Sequence, residues 1–166
     1  MSSLATHPRR MSATNESREP VERNVPPIVA AVDGSPASRA AIDEAIRLAG
    51  ELAAPIVFVY VRRGPAGFFG APVYQRQLTT EMARARRVLD RALAVAASAG
   101  VPAEGEILEG SPRRRISEFA RDRSARIIVV GSRHHKLGQS VSTGVLRTAE
   151  RPVVVARSIP RLTAAA

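Results

Sequence analysis

Short apolar runs alternate with longer segments of helical periodicity along most of this sequence, and no other feature constrains its fold as strongly. The apolar runs that we predict to be strands are 27–32, 55–61, 103–108, 126–130 and 152–156. Alternation of this kind is typical of βαβ units, in which parallel strands form a central sheet and helices cover both of its faces. The sequence therefore predicts an α/β fold with three layers, α/β/α.

The composition of two predicted strands indicates where they lie in the sheet. Segment 103–108 alternates Glu104 and Glu106 with uncharged residues, so one of its faces should be exposed and the strand should lie at or near an edge. Segment 126–130 is apolar after its first residue, which favours a central position.

The connections between the predicted strands carry helix signals. Gly34-Ser35-Pro36 and Gly110-Ser111-Pro112 each place a capping serine and a first-turn proline at the start of a helix. A longer helix is predicted by a stripe of apolar residues at helical spacing, namely Leu78, Met82, Ala85, Leu89, Ala92 and Ala96.

Segment 62–72 is rich in Gly and Pro, so we expect a long irregular loop there. The aromatic residues that we assign to it, Phe68, Phe69 and Tyr74, could cover a ligand or contact a partner subunit, although core packing is the simpler expectation.

The length of 166 residues suits one domain. We place this domain at 25–158, between a disordered N-terminal tail at 1–24 and a flexible C-terminal tail at 159–166. The first tail lacks the apolar core of a secretory signal, and no segment approaches the roughly 20 apolar residues that span a bilayer. We therefore expect a cytoplasmic protein without membrane contact, whose natural start is either Met1 or Met11.

The net charge of +10 comes from basic residues that are all arginine except Lys136. Because arginine favours planar recognition of phosphate, nucleic acid is a partner to consider. The arginines are spread along the whole chain, however, so a solvated basic surface is the favoured interpretation and nucleic acid is disfavoured. Cysteine is absent and the three histidines have no evident co-ligands, so we predict neither disulfides nor a metal site.

Three blocks of sequence occur in an order that resembles the universal stress protein A family. They are 32–35 (VDGS), 129–133 (VVGSR), and 140–142 (SVS) followed by 152–155 (PVVV). The resemblance covers nearly all of 27–157 and implies a doubly wound, five-stranded parallel sheet in the order 3-2-1-4-5, the adenine nucleotide alpha hydrolase-like fold. It also implies a homodimer that pairs through the last strand, 152–156. The alternative is that a tail or loop covers this apolar edge strand.

The resemblance further implies where a ligand binds. In a doubly wound sheet, ligands bind beyond the carboxyl ends of the strands at the point where the strand order reverses, here between the first and fourth strands. Asp33 and Gly131 follow those two strands. In nucleotide-binding relatives, an aspartate after the first strand and the end of the second strand hold adenosine, and the corresponding positions are Asp33 and Val61.

A glycine-rich loop holds the triphosphate in those relatives, and its pattern is altered in this chain. The pattern is a glycine, two residues, a second glycine, nine residues, and a glycine followed by Ser or Thr. Glycines let backbone N–H groups approach phosphate closely. Gly131 fits the first position, but His134 occupies the second. The final pair aligns with either Gly144-Val145 or Gln139-Ser140, and we prefer Gln139-Ser140 because it preserves the spacing to the last strand.

With this alignment, loop 131–140 is shorter than the family pattern and has fewer backbone donors for a triphosphate. Arg133, Gly138 and Ser140, together with the start of the next helix, could still hold one phosphate or a cyclic one. The alternative is that the loop is a tight basic connection and Ser140 only a helix cap. The run 113–115 (RRR) lies at the same end of the sheet and is either a solvated run or an anion-recruiting one.

The resemblance implies a non-catalytic stress-response or signalling protein that binds an adenine nucleotide such as ATP, AMP or cyclic AMP. No nucleophile elbow and no pair of carboxylates on neighbouring loops supports catalysis, although weak nucleotide hydrolysis stays open. One alternative is a family member that has lost nucleotide binding and works through protein contacts. Another is a basic protein that binds nucleic acid.

Overall fold

The computed structural model describes residues 25–64, 71–132 and 140–157. Within these residues, strands and helices alternate along the chain. In chain order the elements are β1 (Ile28–Ala31), α1 (Pro36–Leu52), β2 (Ile56–Arg62), α2 (Ala71–Ser98), β3 (Ala103–Glu109), α3 (Pro112–Asp122), β4 (Ile127–Ser132), α4 (Val141–Thr148) and β5 (Val153–Arg157). Each predicted strand overlaps an observed one.

The strands form one parallel sheet in the order β3-β2-β1-β4-β5. This order confirms the predicted doubly wound α/β fold. As predicted, β4 lies inside the sheet and β3 at an edge, where Glu104 and Glu106 are exposed. Among the described strands, β5 pairs with β4 alone and forms the other edge.

Two helices cover each face of the sheet. Because successive strand residues point to opposite faces, each interior strand contributes apolar side chains to both layers. One layer packs α1 and α2 against residues that include Ile28, Phe58 and Val129. The other packs α3 and α4 against residues that include Val29, Val59 and Val130. This arrangement gives the three predicted layers.

Small side chains let α1 approach the sheet closely. The buried residues of this helix are Ala37, Ser38, Ala41, Ala45 and Ala49. Ser35 caps the helix, since its Oγ accepts a hydrogen bond from the backbone N–H of Ser38 at 3.2 Å, and Pro36 occupies the first turn. The N-terminus of α1 therefore lies at the carboxyl end of β1, where a ligand of a doubly wound sheet is expected.

The predicted irregular loop at 62–72 is wrong at both ends. β2 extends to Arg62, and α2 begins at Ala71. Pro72 is compatible with this start because proline lacks only an N–H group that the first helical turn leaves unpaired in any case. Tyr74 consequently lies in α2 and is 39% exposed, so it belongs neither to the loop nor to the core. Phe68 and Phe69 lie outside the described residues.

The two tails that we predicted, 1–24 and 159–166, also lie outside the described residues. The choice between Met1 and Met11 as the natural start therefore stays a prediction. Within the described part of the chain, no helix combines the length and the apolar character needed to cross a bilayer.

Candidate functional site

A cavity of about 380 Å³ opens at the carboxyl end of the sheet, above β1, β2 and β4. We call it the central cavity. Of the site residues predicted from the sequence, those that line it are Asp33, Val61, Gly131 and Ser140. The other predicted site residues, Arg133 and Gly138, lie outside the described residues. The structure thus brings together positions that are up to 107 residues apart in sequence, Asp33 and Ser140.

The turn between β1 and α1 holds Asp33 in place. The backbone N–H of Ser35 donates to Asp33 Oδ1 at 2.9 Å, and the backbone N–H of Asp33 donates to Ser38 Oγ at 3.3 Å. Gly34 has a φ of 80°, a left-handed conformation that suits a residue without a Cβ. Because these contacts fix the backbone and one carboxylate oxygen together, Asp33 is a preorganised acceptor for ligand hydroxyl or amino groups.

The floor of the central cavity is apolar. It is formed by side chains from three neighbouring strands and from α3, namely Ala31, Val59, Val61, Val130 and Ile116. A wall of this kind favours a flat group with apolar faces, while polar atoms at its edges set the orientation of the bound molecule.

The first turn of α4 forms one side of the central cavity. Ser140 is the N-cap, and its Oγ accepts a hydrogen bond from the backbone N–H of Thr143 at 3.2 Å. The hydroxyl of Ser140 also lies 2.8 Å from that of Ser142, which is buried. A helix start carries partial positive charge, so this side of the cavity favours an anionic group.

The position of Gly144 bears on the two loop alignments. Gly144 lies inside α4, one turn after the N-cap, whereas Ser140 stands at the start of the helix. The pair Gln139-Ser140 would end at the N-cap of α4, whereas the pair Gly144-Val145 would lie within this helix, and the preference for Gln139-Ser140 stays a prediction.

Gly131 lines the cavity, but its missing side chain has another explanation. A Cβ built on Gly131 would lie 2.1 Å from the carbonyl oxygen of Ala37 and 2.4 Å from its carbonyl carbon. No side chain fits at that distance, so glycine at 131 lets α1 pack on β4. The sequence pattern had linked this glycine to phosphate only.

Arg63 is a cavity residue that the sequence did not single out. It follows β2 directly and lies two positions after Val61. The signal that could have identified it is its place beyond the carboxyl end of a strand next to the reversal point. Among the described lining residues, Arg63 and Asp33 are the charged ones, one of each sign.

The described part of the chain contains no group of three or more His, Cys, Asp or Glu residues that could hold a metal ion. The polar groups at the central cavity are instead backbone N–H groups, serine hydroxyls, one carboxylate and one guanidinium. This set suits an organic ligand that carries both hydroxyl groups and negative charge.

Comparison with known proteins places this chain among its relatives. The sequence profile of the universal stress protein family matches residues 25–157. The chain belongs to the universal stress protein family. A universal stress protein of Methanocaldococcus jannaschii is 32% identical over 138 residues, which cover 78% of this chain and 81% of that protein.

Solved universal stress proteins have the same fold. UspA of Lactobacillus plantarum superposes with a TM-score of 0.71 at 26% identity, over 80% of this chain and 97% of that one. The universal stress protein of Archaeoglobus fulgidus, solved in complex with dAMP, superposes with a TM-score of 0.64 at 24% identity, over 79% of this chain and 97% of that one. These likenesses agree with the strand order observed in this universal stress protein.

Proposed function

We propose that this universal stress protein binds an adenine nucleotide in the central cavity and acts through binding rather than turnover. The observation that carries the proposal is the convergence of Asp33, Val61 and Ser140 on one cavity of about 380 Å³. This volume lies within the range of about 300 to 1,000 Å³ typical of small-molecule sites. The complex of a related protein with dAMP supports the ligand class.

Each part of the nucleotide has a candidate partner in the cavity. The base would lie against the valines of the floor, with Val61 at the end of β2. Asp33 would accept hydrogen bonds from the ribose hydroxyls. Ser140 and the start of α4 would bind phosphate, helped by Arg133 and Gly138 from the preceding loop.

The chemistry of the cavity supports binding without catalysis. Asp33 is the one carboxylate among the described residues that line the cavity, and it already accepts a hydrogen bond from the N–H of Ser35. A general base for attack on phosphate needs a carboxylate or imidazole aimed at a water beside the phosphate. Asp33 would instead be engaged with the ribose.

We also propose that the protein is a cytoplasmic homodimer that pairs through β5. The supporting feature is the edge position of β5, whose three valines, 153–155, are partly buried by the rest of the chain. A second copy placed along this edge would satisfy its backbone groups and cover the remaining apolar surface.

Isothermal titration calorimetry with adenosine, AMP, cyclic AMP, ADP and ATP tests the proposed ligand class. We expect Asp33→Asn to weaken binding at least about tenfold, because hydrogen bonds to a charged group contribute about 1.5–3 kcal/mol. Asp43→Asn is the matched control, since Asp43 is an exposed carboxylate on α1 outside the cavity. Failure of all five compounds to bind would overturn the proposal in favour of a protein that works through protein contacts alone. Phosphate release from ATP that falls in Asp33→Asn but not in Asp43→Asn would instead indicate a hydrolase.

A further inference from the structure

Exposed arginines form a line along one side of α2. They are Arg76, Arg84, Arg87 and Arg91, whose spacing along the sequence brings them to the same side of the helix. We call these four residues the arginine stripe. At about 1.5 Å per residue, the stripe is roughly 22 Å long. It faces away from the core, because the opposite side of α2 is buried against the sheet through Ala85, Leu89, Ala92 and Ala96.

The positive charge of the arginine stripe is not compensated by carboxylates within the described residues. On α1, Arg47 pairs with Glu44 and Glu51, and on α3, Arg115 pairs with Glu118. Within residues 25–64, 71–132 and 140–157, by contrast, no arginine of the stripe forms an ion pair. The stripe can therefore attract an external anion without first breaking an internal pair.

The spacing within the stripe is unfavourable for the helix itself. Arg84 and Arg87 are three residues apart, and Arg87 and Arg91 are four apart, so each pair places like charges side by side on the helix surface. Like charges at these spacings destabilise a helix. Glu81 and Asp90, the acidic residues of α2, form no ion pair with these arginines. An anion bound along the stripe would relieve the repulsion.

The location of α2 keeps the stripe accessible. This helix packs on β2 and β3, at the end of the sheet opposite to β5. Pairing of two copies through β5 would therefore leave the stripe exposed on both. The described residues that line the central cavity include none of the four arginines, so a ligand there would not occupy the stripe.

The surroundings of the stripe discriminate between lipid and protein as a partner. A helix that binds a membrane surface inserts its apolar face, but the apolar face of α2 is already buried against the sheet. A protein interface has an apolar centre, whereas the residues between the arginines on this side, Thr80 and Ala83, are small. Neither feature favours a lipid or a protein partner, which leaves a polyphosphate chain.

The line of arginines suits a duplex better than a single strand. Single strands bind largely by stacking bases on aromatic side chains. The aromatic residue of α2, Tyr74, lies two positions before Arg76, a spacing that places them on different sides of the helix. In duplex DNA the phosphates of one strand follow at about 3.4 Å along the axis, so the stripe matches about six steps of a regular backbone. Guanidinium groups provide the planar donors that phosphate oxygens accept.

We propose that the arginine stripe binds the phosphate backbone of double-stranded DNA without reading its sequence. The sequence favours a solvated basic surface, because its arginines are spread along the whole chain. The fold, however, gathers four of them on one exposed side of α2. This binding is a further activity, which does not depend on a ligand in the central cavity.

Fluorescence anisotropy with a labelled DNA duplex of about 20 base pairs, which is longer than the stripe, tests the proposal. We expect log K to fall with log salt concentration at a slope of about −3.6, since each of four neutralised phosphates contributes about −0.9. The double substitution Arg84→Gln and Arg87→Gln should reduce the slope to about −1.8 and weaken binding at least about tenfold. The matched control, Arg86→Gln with Arg126→Gln, removes the same charge from exposed arginines outside the stripe and should keep the wild-type slope.

Thr80→Glu tests the stripe without removing an arginine. Thr80 is exposed one turn from both Arg76 and Arg84, and its hydroxyl donates to the backbone carbonyl of Arg76 at 2.9 Å. A carboxylate at 80 would pair with these arginines, so we expect DNA binding to weaken about tenfold. Thr79→Glu is the matched control, because Thr79 is also exposed and donates in the same way to Gln75 at 2.9 Å, but lies off the stripe.

The outcomes decide for or against the stripe. Equal losses in the stripe variants and their controls would assign DNA binding to net charge and overturn the proposal. It is also wrong if the duplex does not bind at about 50 mM salt, or if single strands or phosphatidylserine vesicles bind more tightly than the duplex. Selective loss in the stripe variants, with equal affinity for duplexes of unrelated sequence, supports it. Thermal unfolding verifies that each variant folds, and unchanged nucleotide titrations of the stripe variants would show that the result is independent of the central cavity.

Discussion

The backbone of Gly131 on β4 lies so close to Ala37 on α1 that a Cβ at 131 would come within 2.1 Å of the Ala37 carbonyl oxygen. The contact brings the first turn of α1 onto β4. This strand lies next to β1, which precedes α1 in the chain. The same first turn carries Ser35 and Ser38, whose hydrogen bonds order the backbone around Asp33. The packing of α1 and the geometry around Asp33 thus both depend on the close approach of α1 to β4.

We expect Gly131→Ala to lower the free energy of unfolding by at least about 1–3 kcal/mol, the usual cost of overpacking. The clash is with backbone atoms, which have little freedom to move aside. Urea unfolding followed by circular dichroism measures the change. Gly50→Ala is the control, because a Cβ at Gly50 in α1 meets nothing within 4 Å, and alanine there should add up to about 1 kcal/mol of stability. A Gly131→Ala protein as stable as wild type would contradict this account.

The capping serines allow a second comparison. Ser35 accepts a hydrogen bond from the N–H of Ser38, whereas the side chain of Ser111 makes no capping hydrogen bond at the start of α3. We therefore expect Ser35→Ala to lower the free energy of unfolding by about 1 kcal/mol and Ser111→Ala to change it much less. Urea unfolding of both variants measures the two losses of unfolding free energy. Equal losses would show that the capping hydrogen bond of Ser35 does not stabilise the fold.

The sequence could predict the strands of the sheet because the pattern that determines each strand lies within a short stretch of the chain. Each strand is a short apolar run, and each run is bounded by turn or capping residues. The family resemblance supplied the strand order, and it singled out Asp33, Val61 and Ser140, which line one cavity in the structure. Periodicity and resemblance together were sufficient for this level of detail.

The rest depended on tertiary packing, which a single sequence does not display. Gly144 is a helix residue of poor propensity until Arg113, from another helix, is seen lying on it. Gly131 looked like a phosphate-loop glycine because the approach of α1 has no sequence signal. The start of α2 at Ala71 was missed because proline and glycine normally indicate a loop, although a helix accepts proline in its first turn.

The exposed edge at β3 leads to a third prediction. Glu104 and Glu106 lie on this edge strand and are exposed, and such charges discourage pairing with the strand of another molecule. We expect the double substitution Glu104→Val and Glu106→Val to promote aggregation, measured by light scattering at increasing protein concentration. The matched control replaces Asp90 and Glu51, exposed acidic residues on α2 and α1, and should leave the scattering unchanged. Equal scattering from both double variants would assign the effect to net charge rather than to the edge.

The last prediction concerns Tyr60 on β2. Burial raises the pKa of its phenol above the ordinary value; Arg84 opposes this shift, while Glu81 and Asp33 add to it. The folded protein therefore favours the neutral phenol, whereas the unfolded chain ionises near pH 10. The contribution of Tyr60 to stability is fully present below the pKa of the unfolded chain and is lost as the pH rises towards the higher pKa of the folded state.

Urea unfolding at several values between roughly pH 8 and pH 11 measures this loss, with the phenol's ordinary pKa near the middle of the range. We expect the stability of Tyr60→Phe to fall less steeply with pH than that of wild type, because phenylalanine has no proton to release. Tyr74→Phe is the control, since it also removes a phenol, from a residue that is 39% exposed on α2. If Tyr60→Phe and wild type lose stability in parallel, ionisation of the buried phenol is not the cause of the alkaline loss.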